Sequence, residues 1–592
     1  MKNSIIALFL FLMQFGGIRA QYVIEDSGGL ETLKKLPLEK IYLHSNSSLF
    51  FPGEYLYYSM NCINAMTNRL STISRVGYVE LIDENHKSLF KQKVLLAGGK
   101  GQGDFFIPVT FPSGNYKLIA YTHWMRNAGV SQFYQDDIVI INPYQIDQEN
   151  LLNKKEETII LDAVQEDTTE FQLTDKSIEL QTSKTIFGKR DRVSLIPRNY
   201  KGSLGYGNYS ISVRLKNDLG VKPAMSASYF GDKYLTSTKT LPKNINDSIY
   251  LPEQRGELFY GRVLEKEDIP VVNETVIISI PGNDFQLKSA ITDKSGSFYT
   301  YVNKPYSAST IIAQTIEKDA KKMVLLIDKP EIEFETLEFS DFIINSKMEK
   351  AIVERSVYNQ VENAFYSAKP DSILSNAAID PFDGGSPEII NLDEFTRFPT
   401  IRETLVELVP NVWVKKLDND SYTFWVREKL EKYEIEFESD PPLVLIDGVF
   451  VQDHTAILNF NARLVDRISI LRDPLVLGDK KYLGMVVIET KEGDYLNRII
   501  DNNMAINDLE KPTSLKNYFN QSYGTENMEK FKNIPDFRSQ LYWNANITID
   551  QNSNEKNYEF YTSDVAGEYE IVLEGFTTYG KPITVKKTIT IE

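Results

Sequence analysis

The chain has 592 residues, with 82 acidic against 65 basic side chains and a net charge of −17. That balance disfavours nucleic acid as a partner, because phosphate binding needs clustered cations. An apolar fraction of 42% excludes a disordered chain. The length suits several domains, and 33 Tyr and 32 Phe lean toward β-structure.

Lys2, an almost wholly apolar run from Ile5 to Phe15, and small Ala20 before Gln21 read as a secretory signal peptide over residues 1–20. The run is shorter than the roughly 20 residues that span a bilayer, and no other stretch reads as a transmembrane helix. Cys62 is the single cysteine, so no intrachain disulfide can form and the fold must rely on core burial. It lies in an apolar run over 57–63 and reads as a buried small hydrophobe.

Short strands separated by Gly, Asn, Asp and Pro turns follow from end to end. Residues 39–143 form the clearest β-sandwich, with strands at 55–61, 76–82, 105–109 and 116–122. Ala97-Gly98-Gly99-Lys100-Gly101-Gln102-Gly103 reads as a hairpin loop. Residues 144–155 read as a linker and 156–218 as a second sandwich, with a strand at 209–215. Residues 219–254 read as a loop or strap. Residues 255–332 form a third small sandwich, with strands at 276–280 and 297–302. Residues 333–399 are a mixed connector with a helix around 347–361. Residues 400–497 read as α+β, 498–534 as a polar connector, and 535–592 as a closing sandwich. The fold class is mainly β: tandem Ig-like sandwiches with one α+β domain.

Several motifs carry a resemblance. Glu39-Lys40-Ile41-Tyr42-Leu43-His44, Phe51-Pro52-Gly53-Glu54, Pro112-Ser113-Gly114-Asn115-Tyr116 and Ala120-Tyr121-Thr122-His123-Trp124 together resemble the macroglobulin-type sandwich of multidomain envelope proteins typical of Bacteroidota. Leu251-Pro252-Glu253, Gly261-Arg262-Val263 and Thr292-Asp293-Lys294-Ser295-Gly296 are similar to carboxypeptidase-regulatory-like domains, which are non-catalytic sandwiches. Leu443-Val444-Leu445-Ile446-Asp447-Gly448-Val449, Val465-Asp466-Arg467-Ile468 and Gly484-Met485-Val486-Val487-Ile488-Glu489-Thr490 resemble the core of TonB-dependent receptor plug domains. This resemblance marks Asp447, Gly448, Arg467 and Gly484 as residues of the unit in a structural role. Where plugs often carry a Gly-rich stretch, this chain has Asp473-Pro474-Leu475-Val476-Leu477-Gly478-Asp479-Lys480. The residues after Lys491 are fewer than the roughly 220 that a large barrel needs, so the plug-like unit is expected without a pore of its own. Ile534-Pro535-Asp536-Phe537-Arg538 and Gly567-Glu568-Tyr569 look like the closing sandwich of the same envelope family.

Chemistry-bearing patterns are sparse. His44, His86, His123 and His454 are scattered without metal-ligand spacing and read as ordinary surface or partly buried residues, with His123 in the packing of the first sandwich. Asn61-Cys62-Ile63 does not match the Gly-Cys-Gly-Glu-Gln context of a macroglobulin thioester. No nucleophile elbow or phosphate loop is present. Asp380-Pro381-Phe382-Asp383-Gly384-Gly385 and Asp418-Asn419-Asp420 read as solvated turns rather than calcium loops. Asp167-Thr168-Thr169, Asp247-Ser248-Ile249 and Asp371-Ser372-Ile373 match short O-glycosylation sites of envelope proteins of this bacterial group.

The sequence therefore points to an exported, non-enzymatic protein without cofactor or metal, on the periplasmic side of the outer membrane or at the cell surface. The expected role is an accessory or scaffold subunit of an outer-membrane assembly, with a barrel or lipoprotein as partner. The alternatives are a glycan- or peptide-binding protein using exposed aromatics, and a thioester-independent protease inhibitor.

Overall fold

A computed structural model describes residues 22–24, 27–145, 151, 177–216, 219–236, 240–316, 319, 321–327, 331–374, 379–417, 420–429, 441–499, 504–524, 527–552 and 556–592. The signal peptide expected over 1–20, the Asp167-Thr168-Thr169 triplet, Asp418-Asn419 and most of the 144–155 linker lie outside the described residues. The chain is mainly β, in several separate sheets. It alternates between two compact units. One comprises Gln21–Gln254, Ile332–Ser375 and Pro512–Glu592; the other comprises Arg255–Glu331 and Asn376–Lys511.

The first unit opens with an eight-stranded sandwich. One sheet is ordered Glu39–Ser45, Tyr55–Asn64, Lys100–Phe106. The facing sheet is ordered Leu49–Phe50, Tyr134–Ile140, Gly114–Tyr121, Val76–Ile82, Ser88–Leu95. Ile41, Leu43, Tyr58, Met60, Val79, Leu81, Leu118 and Ile138 fill its core, and Cys62 is fully buried among them. The Gly-rich stretch is not all loop. Gly99 turns at φ +80°, but Gly101 and Gly103 lie within Lys100–Phe106. A Cβ on Gly103 would sit 2.1 Å from the Tyr58 hydroxyl, so the ring needs a bare backbone beside it. The strand expected at 105–109 accordingly ends at Phe106.

The expectation of separate sandwiches at 156–218 and 535–592 is corrected. They are two halves of one. Ile178–Thr182, Arg192–Asn199 and Tyr558–Tyr561 form a three-stranded sheet. Ile186–Phe187, Pro582–Ile591, Gly567–Thr577, Gly207–Leu215 and Gln540–Ile549 form the facing five-stranded sheet. Neither half could bury its alternating apolar face alone; Ile211, Val213, Ile547, Phe560, Ile571 and Ile589 meet in a shared core. Taken in chain order, its strands follow the same topology as those of the first sandwich, with residues 216–539 inserted between the fourth and fifth. The two seventh strands even share a device. The hydroxyls of Tyr116 and Tyr569 each donate to the carbonyl four residues upstream, at Pro112 (2.7 Å) and Val565 (3.2 Å).

The 219–254 strap contains a helix, Ala227–Tyr234, capped by the Ser226 hydroxyl. It lies against both sandwiches: Phe230 sits 5.2 Å from the Tyr42 ring and 6.2 Å from the Phe576 ring. Two buried carboxylates hold this segment. Glu574 accepts from the Ala227 amide (2.8 Å) and the Thr584 hydroxyl (2.7 Å), and Asp136 accepts from the Met225 amide (2.8 Å). A second helix, Glu349–Ala364, falls in the region read as a connector. Its Arg355 grips buried Glu54 through two bonds of 2.8 and 2.7 Å, and Asn359 adds a third. Arg214 of the second sandwich donates to the same carboxylate at 2.8 Å. Despite burial, these cations hold Glu54 down to about 2.

The second unit holds two domains. In the first, Ser297–Val302, Glu257–Leu264 and Met323–Ile327 face Gln286–Ile291, Thr275–Ile280 and Thr310–Thr315. The latter sheet gains an edge strand, Met504–Asp508, from the expected polar connector. In the second domain the sheet order is Glu388–Asn391, Val465–Leu477, Lys480–Thr490, Leu443–Ile446, Val449–Phe450. Its first strand also comes from the expected connector at 333–399. Helix Ile401–Leu408 packs Ile401 and Leu405 onto this core, where the sequence runs apolar at helical spacing.

Burial gives a testable pH dependence. It pushes the Glu574 carboxyl up from 4.5 to about 7, against the opposing charge of Lys586, and Asp136 from 3.8 to about 6. The unfolded chain ionises Glu574 near 4.5, whereas the fold keeps it protonated to about pH 7. Stability from this group is therefore full below about 4.5 and is lost as pH rises to about 7. Glu574→Gln keeps an acceptor for Ala227 and Thr584 but cannot ionise. Differential scanning calorimetry should show the variant melting a few degrees above the parent at pH 8 and no higher at pH 4.5. An equal offset at both pH values would contradict the assignment.

Candidate functional site

Asp447 and Gly448 form the turn between Leu443–Ile446 and Val449–Phe450, both in left-handed backbone at φ +50° and +81°. The Asp447 side chain is buried and fully engaged. One oxygen accepts from the Thr490 amide (2.7 Å); the other accepts from the Thr490 hydroxyl (2.7 Å) and the Tyr495 amide (3.0 Å). Its carbonyl takes the Gly282 amide of the neighbouring domain at 3.0 Å. A Cβ on Gly448 would stand 2.6 Å from Cβ of Phe285, so this close approach requires glycine.

Arg467 lies on Val465–Leu477 and pairs through two nitrogens with Glu489 of the adjacent strand, one bond at 2.6 Å. Glu489 precedes Thr490, so Asp447 and Arg467 brace the same strand end. Gly484 lies near the middle of Lys480–Thr490 and is not brought to them. Its φ of +83° sits opposite a bulge between Leu471 and Pro474, where a Cβ would meet the Leu471 carbonyl at 2.5 Å. Pro474 suits the bulge because it lacks an amide proton. Beyond it, across Asp473–Lys480, the hairpin simply continues to a two-residue turn at Gly478-Asp479. The Asp479 carboxylate takes the Thr275 hydroxyl at 2.6 Å. These four residues fasten a turn and a hairpin; every lone pair of Asp447 described is turned inward.

The perturbed titratable groups are also internal. His44, buried rather than at the surface, makes a 2.7 Å contact from Nδ1 to the Ser210 hydroxyl, and burial brings its pKa down to about 3. Both side chains are buried, with His44 4% and Ser210 1% exposed. His454 accepts the Phe424 amide at 3.1 Å, with its pKa lowered by burial to about 4. His123 packs as expected, its Nδ1 2.9 Å from the Leu251 carbonyl. Among the described residues no three His, Cys, Asp or Glu side chains cluster as metal ligands. No helix described is long and apolar enough to cross a membrane.

One surface feature went unread in the sequence. Strands Val412–Lys416 and Tyr422–Val426 form a separate hairpin. Val412, Phe424 and Val426 turn into the core. On the alternate face, Trp413 stands directly opposite Trp425, and Trp413 is 41% exposed. The Lys415 ammonium lies 4.6 Å from the Trp425 ring centroid. The signal was available: both tryptophans fall at the outward positions of two alternating strands.

No protein-family model matches the chain, and no curated protein matches it. Among solved structures, it aligns with a Salmonella alpha-2-macroglobulin mutant at 8% identity and TM-score 0.23, over 93% of this chain and 39% of that one. An Escherichia coli alpha-2-macroglobulin activated by porcine elastase gives 8% and 0.23, over 94% and 44%. Dimeric latent PorU from Porphyromonas gingivalis gives 8% and 0.15, over 49% and 33%. The chain thus spans about two fifths of the macroglobulins' length. At these values the likenesses carry no argument about fold or activity.

Removing the Asp447 carboxylate leaves three buried donors unpaired. Asp447→Ala should cost about 2–4 kcal/mol, whereas Asp447→Asn, which retains an acceptor and tolerates φ > 0, should cost less than about half of that. Urea unfolding followed by circular dichroism checks the order. Equal stability of the alanine variant and the parent would refute the bracing role.

Proposed function

We propose that this protein is a non-catalytic accessory or scaffold subunit of an outer-membrane assembly, working through protein–protein contacts. The observation that carries the reading is the outward Trp413–Trp425 face with Lys415 beside it. Large aromatics supply much contact area at small entropic cost, which is why they anchor interfaces. The locked Asp447 turn supports the reading by giving the neighbouring sheet a rigid frame. The inward use of Glu54, Glu574, His44 and Asp447 supports a chain whose polar side chains join segments rather than meet a substrate. The plug-like resemblance and the leader-like residues 1–20 favour an exported protein of a Bacteroidota envelope, with a barrel or lipoprotein as partner.

The test is co-purification of the tagged full chain from detergent-solubilised outer membranes, beside a Trp413→Ser/Trp425→Ser variant. The parent should retain a stoichiometric barrel or lipoprotein through size exclusion. The variant, whose changes lie on an outward face, should lose it by a factor of about 30 or more. A parent that elutes alone, or a variant that retains the partner equally, would overturn the proposal.

A further inference from the structure

The first unit carries a second feature, independent of the tryptophan hairpin. A groove of about 660 Å³ opens beside the Pro52-Gly53 turn. Its volume falls in the range of small-ligand sites. Tyr55 and Phe106, paired across adjacent strands, present rings at 5.1 Å. The Tyr366 ring stacks near Tyr55 at 5.9 Å and 15°, with the two hydroxyls 2.8 Å apart. Tyr144 lines the groove as well and is tethered to Ser356 at 2.9 Å. Phe106, Tyr144 and Tyr366 are each more than 40% exposed.

The polar groups come from one helix face. Gln360 follows Ser356 by four residues and Asn363 follows Gln360 by three on Glu349–Ala364. Among the described residues, the Asn363 carboxamide makes no hydrogen bond, and the Gln360 carbonyl oxygen accepts none. The helix is not free to carry them away: Arg355 and Asn359 bind Glu54, the residue after Gly53. Gly53, at φ +90°, lets the Asn363 amide approach; a Cβ there would lie 2.1 Å from its nitrogen. No lining residue is charged, in a chain that is 25% charged.

We infer that this groove binds an uncharged oligosaccharide, with pyranose faces laid on the Tyr366 and Phe106 rings and hydroxyls bonded by the Gln360 and Asn363 carboxamides. Aromatic faces match the apolar C–H face of a pyranose. Unpaired carboxamides offer the donors and acceptors that sugar hydroxyls need. A charged glycan or acidic peptide would meet no countercharge in the groove.

Isothermal titration of the full chain with cellohexaose, laminarihexaose, mannohexaose and chitohexaose tests this, with a polygalacturonate hexamer as the charged comparison. At least one neutral oligosaccharide should give saturable heat and the uronate none. Tyr366→Ala and Asn363→Ala should each weaken that binding at least about tenfold. Tyr229→Ala, exposed on the strap helix, should leave it unchanged, and unaltered melting temperatures would show that the groove variants fold. Flat titrations across the neutral panel, or undiminished binding in both groove variants, would overturn the inference. Selection of a peptide from a random library that is lost in the same variants would also overturn it and make the groove a peptide site.

Discussion

The second sandwich of the larger unit depends on strand pairings between its two distant halves, Gly207–Leu215 with both Gln540–Ile549 and Gly567–Thr577, and Arg192–Asn199 with Tyr558–Tyr561. Arg214 stands opposite Gln540, so the two ends of a long insertion are held a strand apart. Loop-closure entropy rises only logarithmically with length, so doubling an insertion costs roughly 0.6 kcal/mol more. A sandwich can therefore accept such an insertion once its core is good enough. The cost appears instead in kinetics, because the pairing joins residues far apart in sequence and must form late.

Buried charges secure the segments that this topology leaves dangling. Glu54 draws Arg214 from the second sandwich and Arg355 from the helix to one point. Glu574 and Asp136, whose carboxyls burial pushes up toward the neutral form, hold the strap as hydrogen-bond acceptors rather than as paired charges. Asp536 is buried, and Arg538 and Tyr523 donate to it, while Arg190 from the other half of the sandwich grips neighbouring Asp564. Leaving one such charge unpaired costs several kcal/mol, so these joints discriminate strongly against misdocked segments. The oligosaccharide groove inherits its shape from the Glu54 joint, since the residues on either side of it are fixed by the same bonds.

Local elements were legible because their signals are local. The strands at 76–82, 297–302 and 443–446 end where alternation and turn residues end them, and the helix near 347–361 shifts by only two or three residues. What was not legible was partnership. Nothing in 177–216 says that its missing strands lie past residue 539, and the five-residue strand Met504–Asp508 looks like polar connector until the open edge of Thr310–Thr315 is known. The Gly-rich stretch misled because Gly103 is demanded by the Tyr58 ring and Gly101 by the close approach of Val94 and the Leu95 carbonyl, tertiary reasons that mimic a loop. Of the marked residues, Asp447 and Gly448 announced a turn, but the three bonds that lock it come from Thr490, the last residue of another quoted stretch, and from Tyr495, which carries no motif. Trp413 and Trp425 were visible in alternation and simply unweighted.

The central claim is that 177–216 and 527–592 are one cooperative sandwich. Native-state hydrogen exchange of the intact chain, read by mass spectrometry, tests it most directly. The account predicts that amides of Gly207–Leu215, Gln540–Ile549 and Gly567–Thr577 open with one free energy and respond together to a destabilising change such as Ile571→Ala. Independent opening, with 540–577 exchanging while 207–215 stays protected, would contradict it.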